Sequence, residues 1–301
     1  MATVIDAQLA RAATRDATEP THSTQAGWRI RSIGGLIGLV LVSLLVIAAL
    51  AGPWLTTIDP AKQNLLSRLQ PPVGFGGSWT HPLGPDELGR DIWARVLSGA
   101  RLSLPIAVWA TLITASIGVF LGLMAGMQGG RWDAVTVFLL DVAMAMPFVV
   151  IAIAVTASMG GGLRALMVTL VATGWVGYAR IIRLQSRSLR GETFIEAARA
   201  IGAGRSRLLL RHLLPNVAGT IIVLATQQIA AMMLFEAALS YLGLGLSGET
   251  ITWGGMVAAG QPNLLNAWWV ATIPGLMLVI TVVGFALLGD WLRDRIERPG
   301  R

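Results

Sequence analysis

The side chains that most often carry out chemistry are scarce in this sequence. There is no cysteine, and the three histidines, His22, His81 and His212, all lie outside the long apolar stretches. Those stretches therefore contain neither of the ligand types that most metal sites need. An intramembrane serine protease needs a serine and a histidine that face each other within the bilayer, which argues against that class. The sequence predicts neither an enzyme nor a metal site.

Lysine is almost absent as well. Of the 23 basic residues 22 are arginine, and the one lysine, Lys62, follows Ala61 and precedes Gln63. A P-loop needs a lysine between a glycine and a serine or threonine, because its ammonium group neutralises the β and γ phosphates. This chain has no P-loop. If nucleotide hydrolysis drives it, another chain must bind the nucleotide.

The composition indicates what surrounds the protein. Hydrophobic residues make up 54% of the chain and charged residues 13%, whereas soluble domains average about 25% charged residues. So few charges cannot cover a surface that faces water, so much of the surface must face lipid. The formal net charge of +7 is more typical of the positive-inside rule than of nucleic-acid binding in so apolar a chain. The sequence predicts a membrane protein that binds no nucleic acid.

Six apolar stretches are long enough to cross a hydrocarbon core of about 30 Å at about 1.5 Å per residue. They cover residues 33–51, 102–126, 134–157, 164–182, 217–241 and 268–289. The sequence therefore predicts an all-α integral membrane protein with six transmembrane helices. Between the fourth and fifth spans, residues 183–215 form a basic loop that is too long for a simple turn.

The charge distribution predicts the orientation of the chain. Residues 1–32 are polar and lack apolar periodicity, which predicts a cytoplasmic N-terminal tail before a transmembrane domain of residues 33–301. The first span is longer than the apolar core of a signal peptide, so we expect it to be uncleaved. With the N-terminus inside, 17 of the 23 basic residues lie on the cytoplasmic side. This bias predicts that both termini are cytoplasmic.

The basic loop contains a short amphipathic helix. Ile195, Ala198 and Ile201 share one face of that helix, and Gly202 permits a sharp reversal after it. Small alanines would let such a helix fit closely into a groove of a partner protein. An amphipathic helix that lies flat on lipid headgroups explains the spacing equally well.

Asp141 lies about eight residues into the third span, or about 12 Å from its cytoplasmic end. A carboxylate is costly there and so suggests a specific role. We favour a structural partner for an arginine near the cytoplasmic face, such as Arg180 or Arg183. A gating role, together with the nearby Pro147, is the alternative.

A second set of polar residues lies in the fifth span. Gln228, Met232, Phe235 and Glu236 are spaced i, i+4, i+7 and i+8 and therefore share a broad stripe of the helix. The stripe is either a helix interface, since amides hydrogen-bond between helices, or a passage lining in which flexible methionine accepts varied side chains. Glu236 lies near the outer mouth, where it meets a cationic group of a cargo or caps a loop.

The basic loop resembles the EAA loop of ABC importer permeases. The residues that match the pattern are Glu196, Ala197, Ala198, Gly202, Leu214 and Pro215. The resemblance implies that this helix is a coupling helix that docks on a cytoplasmic ATPase subunit, which agrees with the missing P-loop. ATP and magnesium would then be bound by that partner, with no cofactor on this chain.

Further motifs resemble the C-type subunit of the dipeptide, oligopeptide and nickel branch of this family. They are HPLGPDELGRD at 81–91, GARLSL at 99–104, Asp141 with Pro147, EAALSYLGLG at 236–245 and GDWLRD at 289–294. The resemblance implies a type I ABC importer permease fold in a bacterial inner membrane. It also implies a homologous second permease subunit and an extracytoplasmic substrate-binding protein as partners. Phe138, Ala286 and Arg298 depart from residues frequent in the branch.

The resemblance implies that the chain is one half of a translocation pathway for di- or oligopeptides. Nickel, another chelated metal and a glutathione-like solute stay open as cargo, because a chelated metal needs no ligands from the spans. An ion-coupled secondary carrier is a remote alternative. Such a carrier would require internal repeats with interrupted helices and several buried ionisable groups.

Overall fold

The computed structural model describes residues 23–246 and 250–297, and helices make up nearly all of the regular structure in these two ranges. The helices of eight residues or more are α1 (Ser23–Leu55), α2 (Ile92–Gln128), α3 (Gly130–Ala145), α4 (Phe148–Met159), α5 (Leu163–Leu189), α6 (Thr193–Ala200), α7 (Leu214–Tyr241), α8 (Trp253–Gly260) and α9 (Trp269–Glu297). A single turn at Arg205–Arg207 and a π-helical segment at Leu208–Leu213 lead into α7. Within the described residues the one β-bridge joins Pro85 and Asp91. The predicted all-α architecture is confirmed.

Five of the predicted spans correspond to helices long and apolar enough to cross a membrane. These are Ile33–Gly52, Ile92–Gln128, Leu163–Leu189, Arg205–Tyr241 and Trp269–Ile296. Most of the predicted tail, residues 1–22, lies outside the described residues, while α1 begins at Ser23, ten residues before the predicted span. Helix α5 continues to Leu189, so the first part of the predicted loop 183–215 is helical.

The third predicted span, 134–157, is a bent pair of helices rather than one helix. Helices α3 and α4 meet at an angle of 89°. Pro147 causes the break, because its ring clashes with the preceding helical turn and it has no N–H to donate. Met146 has the extended backbone that a residue before proline prefers, with φ −95° and ψ 121°.

The most extensive contact between two helices in the described part of the chain joins α2 and α5. Gly118, Gly122 and Gly126 recur every four residues along α2 and face the backbone of α5. A Cβ atom at Gly122 would lie 2.9 Å from both Ala179 O and Ile182 Cβ, closer than real contacts allow. Lipid tails are as apolar as leucine, so helices in a membrane associate through close packing of this kind. The glycines therefore set the distance between the two helices.

Opposite α6, the long connection before α2 folds into a polar cap over the helix ends. Asp91 accepts a hydrogen bond from the Ala94 backbone N–H at 2.8 Å and so caps the start of α2. His81 Nδ1 lies 2.9 Å from the second oxygen of the same carboxylate. The Asp86 carboxylate accepts a bond from Arg90 Nε at 2.7 Å. The HPLGPDELGRD motif thus holds the first turn of α2 in place.

Helix α8 is fixed to the same region by a buried tryptophan. Trp253 is 1% exposed, and its Nε1 donates to Val96 O at 2.9 Å. Its ring lies against Gly99 of the GARLSL motif, where a Cβ would be 2.9 Å from Trp253 Cδ1. The two motifs before and within α2 are therefore structural at this end of the molecule.

Replacing Gly122 by leucine should lower the free energy of unfolding by roughly 1 to 3 kcal/mol, because the added side chain overpacks the contact with α5. Thermal unfolding of the purified protein in detergent measures the effect. Gly177→Leu is the matched control, because Gly177 is an exposed residue of α5 with no atom within 4 Å of its Cβ position. Equal stability of the two variants would contradict the packing role.

Candidate coupling site and central helices

Helix α6 lies against the ends of the long helices and exposes one face. Ile195 and Ala198 are buried, whereas Glu196 and Ala197 are exposed side by side. Ile201 is 86% exposed, so the prediction that it shares one helix face with Ile195 and Ala198 is wrong. The helix ends at Ala200, and Ile201 is the C-cap residue, already outside the helical periodicity.

A Schellman turn ends α6. Gly202 N–H donates to Arg199 O at 2.9 Å, and Ala203 N–H donates to Ala198 O at 2.9 Å, which is the paired pattern of that motif. Gly202 has a φ of +83°, a conformation that costs a residue with a Cβ about 1–2 kcal/mol. Glycine is therefore required by the turn that directs the chain back toward α7.

Leu214 and Pro215, the last residues of the matched pattern, lie at the start of α7. Pro215 is the second residue of α7 and lies within the continuous helical stretch Arg205–Tyr241. The π-helical segment Leu208–Leu213 immediately precedes it, a widened turn of the kind that often accompanies functional positions. Leu214 is half-buried and Pro215 is exposed.

The buried face of α6 joins the ends of three long helices. Ile195 and Ala198 belong to an apolar cluster to which α2, α5 and α7 each contribute. Its other members are Leu123, Met127, Ile182, Leu208, Leu213 and Val217. Because protein interiors are close-packed, a force applied to the exposed face of α6 reaches all three helices together.

The stripe on α7 faces other helices of the same chain. Met232 is fully buried. A Cβ added at Gly174 of α5 would lie 2.2 Å from Met232 Cε and 3.1 Å from Gln228 Nε2, so both side chains pack against α5. Phe235 packs its ring against Phe148 with centroids 4.6 Å apart. In this conformation the stripe is a helix interface, and its assignment to a passage stays a prediction.

Glu236 lies at the far end of that stripe, next to α8. It is 1% exposed, and its Oε1 accepts a hydrogen bond from Ser240 Oγ at 2.9 Å. Its Oε2 would lie 3.0 Å from a Cβ at Gly254, in the first turn of α8. The N-terminus of α8 is capped by Thr252, whose side chain accepts from Gly255 N–H at 3.0 Å, and Glu236 lies buried beside this cap.

Asp141 and Pro147 lie on the two sides of the bend in the third span. Arg183, one of the expected partners of Asp141, instead binds Asp133, with Arg183 Nη2 donating to Asp133 Oδ2 at 3.0 Å. Asp141 is exposed and forms no ion pair with any described residue. The expected structural pair of Asp141 with Arg183 is therefore not formed.

Sequence reasoning missed the residues that hold these helices together. Asp133, which binds Arg183, carried no motif that would have distinguished it. Gly118, Gly122 and Gly126 did carry a signal, since small residues spaced by four mark close helix contacts in membranes. Among the described residues no group of three histidine, aspartate or glutamate side chains is arranged to hold a metal ion.

Family models match both parts of the chain. A model described as binding-protein-dependent transport system inner membrane component matches residues 118–299. A second, described as the N-terminal TM domain of oligopeptide transport permease C, matches residues 30–72.

Curated proteins are similar over most of their length. The chain is 36% identical to the dipeptide transport system permease protein DppC of Bacillus subtilis, over 91% of this chain and 85% of that protein. It is 35% identical to the oligopeptide transport system permease protein OppC of the same organism, over 87% and 84%. It is 38% identical to the glutathione transport system permease protein GsiD of Escherichia coli, over 86% and 84%.

A solved structure has the same fold. An inward-facing conformation of the MetNI methionine ABC transporter contains a chain that matches with a TM-score of 0.56 at 21% identity, covering 69% of this chain and 98% of that one. At this identity the likeness concerns the fold alone. It agrees with the predicted type I importer permease fold.

Replacing Gly202 by alanine should loosen α6, because the φ of +83° at this position then costs about 1–2 kcal/mol. We expect amide hydrogens of Ile201 to Ala203 to exchange about tenfold faster. Gly204→Ala is the matched control, because Gly204 has a φ of −68°. Equal exchange in the two variants would show that the turn does not depend on Gly202.

Proposed function

Because this chain belongs to the family of binding-protein-dependent transport system inner membrane components, we propose that it forms half of the translocation pathway of an ATP-driven importer. A homologous second permease forms the other half. An extracytoplasmic binding protein delivers the cargo, and two cytoplasmic ATPase chains bind ATP and magnesium. The chain itself is a transport subunit without catalytic activity.

The proposed cargo is a di- or oligopeptide. Support comes from relatives at 35–36% identity that are named as dipeptide and oligopeptide permeases. A glutathione-like solute is the second candidate, supported by the 38% identity to a glutathione permease. Both are peptide-like molecules with ionised amino and carboxyl groups, so the proposed chemistry of the passage is similar. Purification of the complex with its binding protein, followed by mass spectrometry of the bound ligand, tests the cargo, and a ligand without peptide bonds would contradict it.

The proposed coupling is mechanical and begins at α6. Its exposed Glu196 and Ala197 face away from the helical bundle and are available to an ATPase subunit. Its buried Ile195 and Ala198 join the cluster shared by α2, α5 and α7. Rotation or translation of α6 would therefore move three long helices as one body, a rigid-body transition of the kind that alternates access.

The α6 end is proposed to be cytoplasmic. The exposed side chains of Arg187, Arg190, Arg199 and Arg205 surround α6, as the positive-inside rule requires of a cytoplasmic surface. Both termini then lie in the cytoplasm, and the cap before α2 faces the binding protein.

The stripe on α7 is proposed to face the passage when α5 and α7 separate in another conformation. Its residues are Gln228, Met232, Phe235 and Glu236. Gln228→Ala and Glu236→Gln should then lower uptake in the reconstituted complex, and unchanged uptake by both variants would leave the stripe a helix interface only.

Glu196→Lys should reduce peptide uptake by more than about tenfold, because reversing a charge at a protein contact costs several kcal/mol. The assay uses proteoliposomes that contain both permeases and both ATPases, with the binding protein added outside. ATPase retention on the complex is measured by co-purification.

Glu192→Lys is the matched control for Glu196→Lys. Glu192 is an exposed glutamate at the N-cap of α6, one turn before Glu196, so the change in net charge is identical. Full uptake by Glu196→Lys would overturn the coupling assignment. An equal loss of uptake in both variants would show that the effect comes from the added positive charge on this surface and not from Glu196 itself.

A further inference from the structure

Two opposite charges are exposed near the bend in the third span. Asp141 lies on α3, eight residues beyond Asp133, or about 12 Å further from the α6 end. Arg180 of α5 is also exposed, and its Nη1 lies 4.0 Å from Met144 Sδ. Met144 is three residues after Asp141, so the two share a helix face with Cβ atoms about 5–6 Å apart. Asp141 and Arg180 therefore both lie beside Met144, with no ion pair between them among the described residues.

Neither charge is neutralised within the described part of the chain. Arg183, one turn from Arg180, is already paired with Asp133, and the contact of Arg180 with Met144 is with a neutral sulfur. Asp141 has no ion pair or hydrogen bond among the described residues. The structure thus separates one satisfied pair near the α6 end from two unsatisfied charges deeper in the bundle.

This surface is unsuited to lipid. A carboxylate or guanidinium within the hydrocarbon region is costly unless it faces water or a partner group. The helix break at Met146 and Pro147 lies one to two turns beyond Asp141, and interrupted helices inside membranes are tolerated where they line a protein interior or a cavity. On one side the bent pair contacts the central helices, because Phe148 packs against Phe235 of α7, and on the other side Met144 and Met146 are exposed.

Resting on the proposed function, we propose that Asp141 and Arg180 bind the two termini of a peptide in transit, Asp141 the ammonium group and Arg180 the carboxylate. The signs of the two charges match those of a zwitterion. Two extended residues span about 7 Å, so the two ends of a dipeptide beside Met144 would be close enough for one side chain to bind each. Helix α4 begins directly after the break, and the partial positive charge at its N-terminus would stabilise the carboxylate of the peptide.

Cysteine labelling tests whether the two positions line a water-filled passage. The chain contains no cysteine, so Asp141→Cys and Arg180→Cys each introduce a unique thiol into it. In the assembled complex we expect both thiols to react with a charged methanethiosulfonate, and dialanine delivered by the binding protein to protect them. Ala152→Cys, at a fully buried residue of α4, is the unreactive control. If both thiols react as slowly as the control, a protein surface covers the two residues and the proposal is overturned.

Uptake of modified peptides tests the chemistry. Asp141→Asn should lower uptake of dialanine about tenfold and have a smaller effect on N-acetyl-dialanine, which has no ammonium group. Arg180→Gln should lower uptake of dialanine by a similar factor and have a smaller effect on dialanine amide, which has no carboxylate. In each case the variant loses one charge-assisted bond to dialanine. Asp59→Asn and Arg164→Gln, which neutralise exposed charges outside the bend, serve as controls. Losses that do not depend on which terminus is blocked would indicate a structural role and overturn the proposal. Failure of the unaltered complex to import dialanine would instead count against the proposed peptide cargo.

Discussion

The close backbone contact between α2 and α5 determines where the other helices lie. Gly118, Gly122 and Gly126 remove every side chain that would separate the two helices, so a Cβ at any of the three would lie within 2.9 Å of atoms of α5. In a bilayer no hydrophobic effect drives helices together, and such packing supplies the association energy. Met232 of α7 inserts beside Gly174 on the same helix α5, which adds the third member of the bundle.

The two ends of this bundle are built for different purposes. At one end Asp91 and Asp86 hold the start of α2 through caps and ion pairs, and Trp253 fixes α8 to it. At the other end α6 contributes only two buried side chains, Ile195 and Ala198, and leaves its remaining surface exposed. The proposed coupling requires an ATPase subunit to move the helices through α6. A rigid cap at one end and an exposed short helix at the other agree with that requirement.

Sequence reasoning recovered the spans and the amphipathic helix but not the shape of the third span. Hydropathy measures how many apolar residues follow one another and carries no information on the direction of the chain, so it does not predict the bend of 89° at Pro147. Periodicity placed Ile201 with Ile195 and Ala198, but the Schellman turn at Gly202 ends the helix first. The four residues of the stripe lie on α7, and helical periodicity alone cannot distinguish a helix interface from a passage lining.

Composition and residues adjacent in the chain are sufficient to identify the membrane environment, the family resemblance and the absence of a P-loop. Which charges form ion pairs depends instead on how the helices pack. Asp133 and Arg183 are 50 residues apart and meet because α3 and α5 pack together, and this contact leaves Asp141 and Arg180 exposed. Helical periodicity states which residues share a face, but the packing of whole helices decides which faces meet.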